Sequence, residues 1–173
     1  IKLFAAKYQE IKKERNLVDY DDLLEKTVEL FKANPLVLSA YQQRFKCILV
    51  DEYQDTNTLQ SAIVDLLADK HQVMAVGDDA QCIYTWRGAD HKNIMSFPDR
   101  YEDCKVFKIE TNYRSTPEIL NFANEILVHQ PETEGFRKQL KPIRKSGKKP
   151  WHVLVSDTYM QANFVIKRIR GLV

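Results

Sequence analysis

Four short runs rich in aliphatic and aromatic residues alternate with stretches of helical periodicity: "CILVDE" from Cys47, "QVMAVGD" from Gln72, "KVFKIET" from Lys105 and "WHVLVSD" from Trp151. No other feature constrains the fold as much. Strands separated by helices pair most simply as an open, mostly parallel α/β sheet flanked by helices. The intervening helical stretches include "TLQSAIVDLLADK" and "TPEILNFANEILVH". The first two runs are both apolar and both end in acids, so they are expected to lie side by side as parallel strands with their carboxyl ends on one edge.

Upstream, residues 1 to about 16 read as a helix with Leu3, Phe4, Tyr8 and Ile11 as its apolar stripe. "VDYDDLLEKTVELF" predicts a second helix with Asp19 or Asp21 as N-cap and Leu23, Leu24, Val28, Leu30 and Phe31 at helical spacing. Pro35 opens a third, "LVLSAYQQRF". Downstream, the charged "PETEGFRKQLKPIRKSGKKP" reads as a loop or linker and "DTYMQANFVIKRIR" as a final helix. With 173 residues and 44% hydrophobic content, the chain can bury one core, or one core plus part of a second.

The balance of 26 Lys and Arg against 24 Asp and Glu neither demands nor excludes a nucleic-acid partner. Cys47, Cys82 and Cys104 are far apart and form no CxxC pair, which argues against a zinc site and a disulfide framework and for a reducing compartment. No apolar run approaches the roughly 18 to 20 residues that span a bilayer, and the N-terminal stretch lacks a signal-peptide pattern. A soluble, cytoplasmic protein without membrane association is expected.

"ILVDEYQDTN" puts Asp51 and Glu52 at the carboxyl end of an expected buried strand, the edge where open α/β sheets bind ligands. An Asp there can hold Mg²⁺ through water, and a neighbouring Glu can orient or deprotonate an attacking water. The plainer alternative is that Asp51, Glu52 and Asp55 are solvated loop acids, with Asp55 or Thr56 capping the next helix. "VMAVGDDAQCIYTWRGAD" delivers a second set of acids, Asp78 and Asp79, after Gly77, followed by Gln81, whose amide suits contact with a terminal phosphate. Tyr84, Trp86 and Arg87 then form an aromatic and basic cluster suited to stacking on unpaired bases, unless the two rings are core residues beneath a loop. In "ETNYRSTPEILNFAN", Thr116 and Pro117 start a helix, and Tyr113 and Arg114 precede it. An Arg there can neutralise a transferring phosphoryl group and the Tyr can stack on an adenine, although a surface Arg beside a helix cap explains the pair as simply.

In this order and at these separations, the three segments resemble motifs II, III and IV of the UvrD/Rep family of superfamily 1 helicases, and "NLVDYDDLL" is similar to the segment by which that family re-enters its first RecA-like domain. The resemblance implies an ATP-driven motor that moves on single-stranded DNA, typically 3′ to 5′, and unwinds partly duplex DNA. It implies that Asp51 coordinates Mg²⁺, Glu52 activates the hydrolytic water, and Gln81 contacts the γ-phosphate of ATP. It further implies that Tyr84 and Trp86, with Arg87 beside them, meet DNA, that Tyr113 packs on adenine and that Arg114 acts as an arginine finger. The division it implies runs from the end of an inserted helical subdomain (1–16), through the latter part of the first RecA-like domain (17–110), to the start of the second (111–173).

One departure stands out. No GxxxxGK[ST] loop occurs, and "RKSGKKP" lacks both the first glycine and a preceding strand. That loop is the main cradle of the β- and γ-phosphates, so the chain by itself is expected to be inactive in hydrolysis. Two rivals follow: a non-catalytic module that binds single-stranded DNA or a protein, and a metal-dependent phosphohydrolase built on the two sets of acids.

Overall fold

The computed structural model describes residues 2–68, 72–131 and 135–172. The chain forms two compact units: residues 1–107 with 131–136, and 108–130 with 137–173.

The first unit begins with α1 (Lys2–Glu14), α2 (Tyr20–Ala33) and α3 (Pro35–Arg44). Asp19, not Asp21, caps α2, in a reciprocal box in which each of Asp19 and Asp22 accepts the other's backbone N–H at 2.9 Å. The expected apolar stripe of α1 is not buried: Leu3, Phe4 and Tyr8 are exposed. Among the described side chains of that helix the buried one is Lys12, whose Nζ donates to Asp19 at 2.8 Å and Asp22 at 2.7 Å, so an ion-pair cluster takes the place of an apolar seam. Helices α2 and α3 pack with α4 (Thr58–Ala68), with the rings of Phe31 and Tyr41 5.6 Å apart and Gln42 donating to the Leu66 carbonyl at 2.8 Å.

Strands β1 (Cys47–Val50) and β2 (Gln72–Ala75) pair in parallel with Cys47 opposite Gln72 and Val50 opposite Ala75. The neighbouring parallel pair expected from the two apolar runs is therefore present. Beyond the strands the ladder continues, as Val76 N–H donates to Val50 and Tyr53 N–H to Val76. Burial differs from expectation. Val50, Val73 and Ala75 pack on a core of Tyr53, Ile94 and Phe97, whereas Leu49, 71% exposed, and Met74 face away from it. A two-stranded sheet covered on one face alternates, and so these strands are half-buried.

Two short helices, α5 (Lys92–Met95) and α6 (Phe97–Arg100), close the core. Arg100 lies among the rings of Tyr53, Phe97 and Tyr101 and donates to the Tyr53 hydroxyl, Ser61, Asp65 and the Asn93 carbonyl at 2.6 to 2.9 Å. One side chain thus ties the turn after β1 to α4, α5 and α6.

In the second unit, β3 (Thr111–Asn112) pairs in parallel with β4 (Lys141–Pro142), and α7 (Pro117–Val128) and α8 (Thr158–Arg170) are its helices. Asn124 brackets Leu140, donating to its carbonyl and accepting its N–H. Two expected strands are not formed: of "KVFKIET" only Thr111 is in a strand, and "WHVLVSD" is in none. Phe107, Ile109 and Leu154 are largely exposed, and β-forming composition makes no strand without a neighbouring ladder. The lysine-rich segment, expected as loop throughout, contributes β4.

No described helix is long and apolar enough to cross a membrane. All three cysteines are free thiols.

Candidate nucleotide and nucleic-acid site

The two strand ends of the first unit deliver their acids to a common edge. Immediately after β1 the chain turns at Glu52, whose φ of 50° and ψ of 41° put a non-glycine residue in the left-handed region. A 3-10 turn, Tyr53–Asp55, follows and sends Tyr53 into the core and the exposed Asp51 and Glu52 outward. Asn57 and Gln60, each accepting the other's N–H at 2.9 Å, cap α4. Neither Asp55 nor Thr56 is the cap. The Thr56 carbonyl instead accepts from the Asp90 N–H and the Asn93 amide, which holds the turn against α5.

After β2, Gly77 lets the chain pass close to that turn. A Cβ at Gly77 would stand 2.6 Å from Gln54 Oε1 and 2.9 Å from Ile94 Cδ1, so only glycine fits without a shift. Asp78 then organises a second 3-10 turn, Asp79–Gln81, accepting the Ala80 N–H at 3.1 Å and the Gln81 Nε2 at 2.7 Å. Asp79 is buried and accepts the Phe136 N–H at 3.2 Å.

Gln54 connects the two turns. It is 1% exposed, donates through Nε2 to Glu52 Oε2 at 2.8 Å and accepts the Asp78 N–H through Oε1 at 3.0 Å. Cys82 Sγ, with its thiol pKa raised by burial, meets the Gln54 carbonyl at 3.4 Å. Reading the sequence did not single out Gln54. The available signal was an amide two residues after the exposed acid, in a run otherwise made of carboxylates and an aromatic ring.

The aromatic cluster is at the surface. Trp86 is 76% exposed and Tyr84 is also exposed, their ring centroids 6.4 Å apart, with the Arg87 guanidinium over both, 5.0 Å from the Trp86 ring and 5.8 Å from that of Tyr84. A 3-10 turn, Thr85–Arg87, ending at Gly88 with φ 87°, shapes the loop, and an antiparallel bridge between Asn57 and Ala89 anchors its far side. The reading of these rings as core residues is overturned by their exposure.

Asp51, one of whose oxygens takes the Glu52 N–H at 2.9 Å, stands as an exposed carboxylate at the strand end. Among the described residues no three His, Cys, Asp or Glu side chains gather into a metal cage. This donor set fits Mg²⁺, which keeps several waters and takes one or two carboxylates together with substrate phosphates.

Tyr113 and Arg114 belong to the second unit, exposed in the turn between β3 and α7. Asn112 Oδ1 accepts the N–H groups of Arg114 and Ser115 at 2.9 and 2.7 Å, and Arg144 donates to the Arg114 carbonyl at 2.8 Å. Thr116 is the N-cap residue of α7, and Pro117 supplies its first turn.

Residues 1–102 match the UvrD/REP helicase N-terminal domain. The chain is 42% identical over 163 residues to the ATP-dependent DNA helicase PcrA of Staphylococcus epidermidis, covering 94% of this chain and 22% of that protein. It is 39% identical over 171 residues to the ATP-dependent DNA helicase PcrA of Leuconostoc citreum, covering 98% of this chain and 22% of the relative. The chain therefore spans about a fifth of the length of these curated relatives. A domain match over 102 of 173 residues, containing the acid-bearing strand ends and the exposed aromatic loop, makes the chain a member of the UvrD/REP helicase family.

Proposed function

We propose that this chain is the central part of an ATP-dependent DNA helicase that couples nucleotide hydrolysis to movement on single-stranded DNA and to duplex unwinding. The observation that carries this reading is the common edge where β1 and β2 end, with Asp51 and Glu52 on one turn, Asp78 and Gln81 on the next, and an exposed Tyr84, Trp86 and Arg87 platform directly downstream. The three segments serve as motifs II, III and IV, with 1–16 as the end of an inserted helical subdomain, 17–110 as the latter part of the first RecA-like domain and 111–173 as the start of the second.

Asp51 would hold Mg²⁺ bound with ATP, and the ion would supply charge neutralisation at the phosphates. Glu52 accepts the proton of the attacking water, Gln81 meets the terminal phosphate, Tyr113 packs on adenine and Arg114 supplies positive charge to the transferring group. Tyr84 and Trp86 take unpaired bases by stacking, which is tolerant of sequence, and Arg87 adds a cation to the same surface.

The main phosphate cradle is not in this sequence. The chain alone accordingly binds ATP feebly and does not turn it over. A longer polypeptide carrying a Gly-Lys-Thr loop ahead of it hydrolyses ATP in the presence of single-stranded DNA. The test is phosphate release by both forms with and without oligonucleotide, alongside Glu52→Gln in the longer one. Hydrolysis by Glu52→Gln at the unsubstituted rate would overturn the assignment. The exposed platform also favours a second reading, a module that binds single-stranded DNA without catalysis. Salt-dependent oligonucleotide binding by a longer form that never releases phosphate would select it.

A further inference from the structure

The helicase reading assigns roles to Glu52 and Gln81 but none to the buried amide between them. Gln54 is one of the two largest fully buried side chains described in the molecule, and both ends of its amide are engaged. Its orientation is dictated by its partners. The Asp78 N–H can only donate and the Glu52 carboxylate, when ionised, can only accept, so Oε1 faces the first and Nε2 the second. Space is as tight as polarity, because Gly77 leaves no room for a Cβ beside Oε1.

The bonds continue on either side. Asp78, whose N–H is held by Gln54, accepts the Gln81 amide at 2.7 Å through Oδ2. An unbroken path thus runs from the Glu52 carboxylate, through a single rigid planar amide, to the backbone of Asp78, its carboxylate and Gln81. We infer that Gln54 is a positioning residue that sets the Glu52 carboxylate according to the position of the turn carrying Gln81, so that contact of Gln81 with a terminal phosphate is felt at the hydrolytic base. The inference rests on the reading of Glu52 as base and Gln81 as phosphate contact. Gln54 touches no reacting atom. It acts through Glu52.

The two halves of the amide can be separated. Gln54→Glu preserves an acceptor for the Asp78 N–H but sets a carboxylate against that of Glu52, removing the donor half and replacing attraction with repulsion. Gln54→Leu removes both halves. In the longer polypeptide with its phosphate loop, Gln54→Glu is expected to lower the kcat of DNA-stimulated hydrolysis by about 10- to 100-fold, the scale of a misplaced reacting group. The KM for ATP is expected to stay within about twofold, since a loss confined to kcat marks an interaction used in the transition state. In the present chain, the Asp78 amide should remain protected from hydrogen exchange in Gln54→Glu and lose protection in Gln54→Leu. The side-chain amide resonances of Gln54 should move in Glu52→Ala.

Parental kcat in Gln54→Glu, with Gln54→Leu impaired, would overturn the inference by reducing Gln54 to a strut for Asp78. Unmoved Gln54 amide resonances in Glu52→Ala would overturn it as well. Glu52→Gln, assayed in parallel, distinguishes the two readings. If it hydrolyses ATP at the unsubstituted rate, the assignment of the base fails and the inference fails with it. If it is inactive while Gln54→Glu is fully active, only the inference fails.

Discussion

At the scale of single residues, the site depends on close approach and on exposure. Gly77→Ala would drive a methyl group to 2.6 Å from Gln54 Oε1 and 2.9 Å from Ile94, so the turn or the amide must shift. Overpacking of this kind costs about 1 to 3 kcal/mol. Thermal unfolding should show a lower Tm, with loss of Asp78 amide protection. Trp86 presents the opposite case. Being 76% exposed, it contributes little to folding, so Trp86→Ala should leave Tm nearly unchanged. If its ring takes a base, oligonucleotide titration of the longer polypeptide should show binding weaker by about 1 to 3 kcal/mol, with little sequence preference. Tyr84→Ala should act alike, and the double variant should be less than additive, because the two rings stand 6.4 Å apart under one guanidinium.

At the scale of elements, two ion-linked junctions predict acid behaviour. The Lys12 ammonium and the Asp19 N–H hold the Asp22 carboxyl below its ordinary value, and Lys12, the Asp22 N–H and the Tyr8 hydroxyl do the same for Asp19. A carboxylate with a depressed folded-state pKa stabilises the fold above its unfolded value and loses that contribution as pH falls through the folded one. The α1–α2 junction should therefore loosen below about pH 4, near the unperturbed aspartate value of 3.8. Asp22→Asn should show a smaller acid limb in a circular-dichroism titration, the part due to Asp19 remaining. In the second unit, Glu118 accepts the Ser146 hydroxyl and the Gly147 N–H, which pull its pKa down to about 2. By the same sign, the hold on the lysine-rich segment is complete above about pH 4.5 and lost as pH falls toward 2. Glu118→Gln should make Lys145 and Lys148 better trypsin sites at neutral pH.

These elements also show what a sequence can disclose. Pairing of β1 with β2 was legible because two short apolar runs flank an amphipathic stretch. The cap of α2, narrowed to Asp19 or Asp21, and the start of α7 at Pro117 were legible because both are set by local sequence, although the Thr116 side chain makes no capping hydrogen bond. The runs at 105–111 and 151–157 have the composition of strands, yet a strand exists only with a ladder beside it, a non-local fact. Gln54 escaped for a related reason. An amide can donate or accept, and its second partner is 24 residues away, brought near by strand register. Lys12 escaped because periodicity ranks a lysine as surface, whereas two aspartates across a turn make its burial tolerable.

For the whole molecule, membership of the UvrD/REP family and coverage of about a fifth of its relatives' length set the expectation. Isothermal titration of the chain with Mg·ATP should give at most feeble binding, and coupled-enzyme assays should show no single-stranded-DNA-stimulated phosphate release. Release that single-stranded DNA stimulates and Glu52→Gln abolishes would show that the chain suffices as a motor core.

The left-handed backbone at Glu52 has a consequence for selection. A side chain beyond glycine in that region is disfavoured by about 1 to 2 kcal/mol, and glycine would relieve much of this while shedding the carboxylate. Glycine would also leave the buried Gln54 amide without its acceptor, at a comparable cost. A screen for thermal tolerance alone should therefore be nearly indifferent to Glu52→Gly, whereas one for motor activity should purge it if Glu52 is the hydrolytic base. With Glu52 as the proposed base, position 52 is where work holds a residue that robustness alone would release.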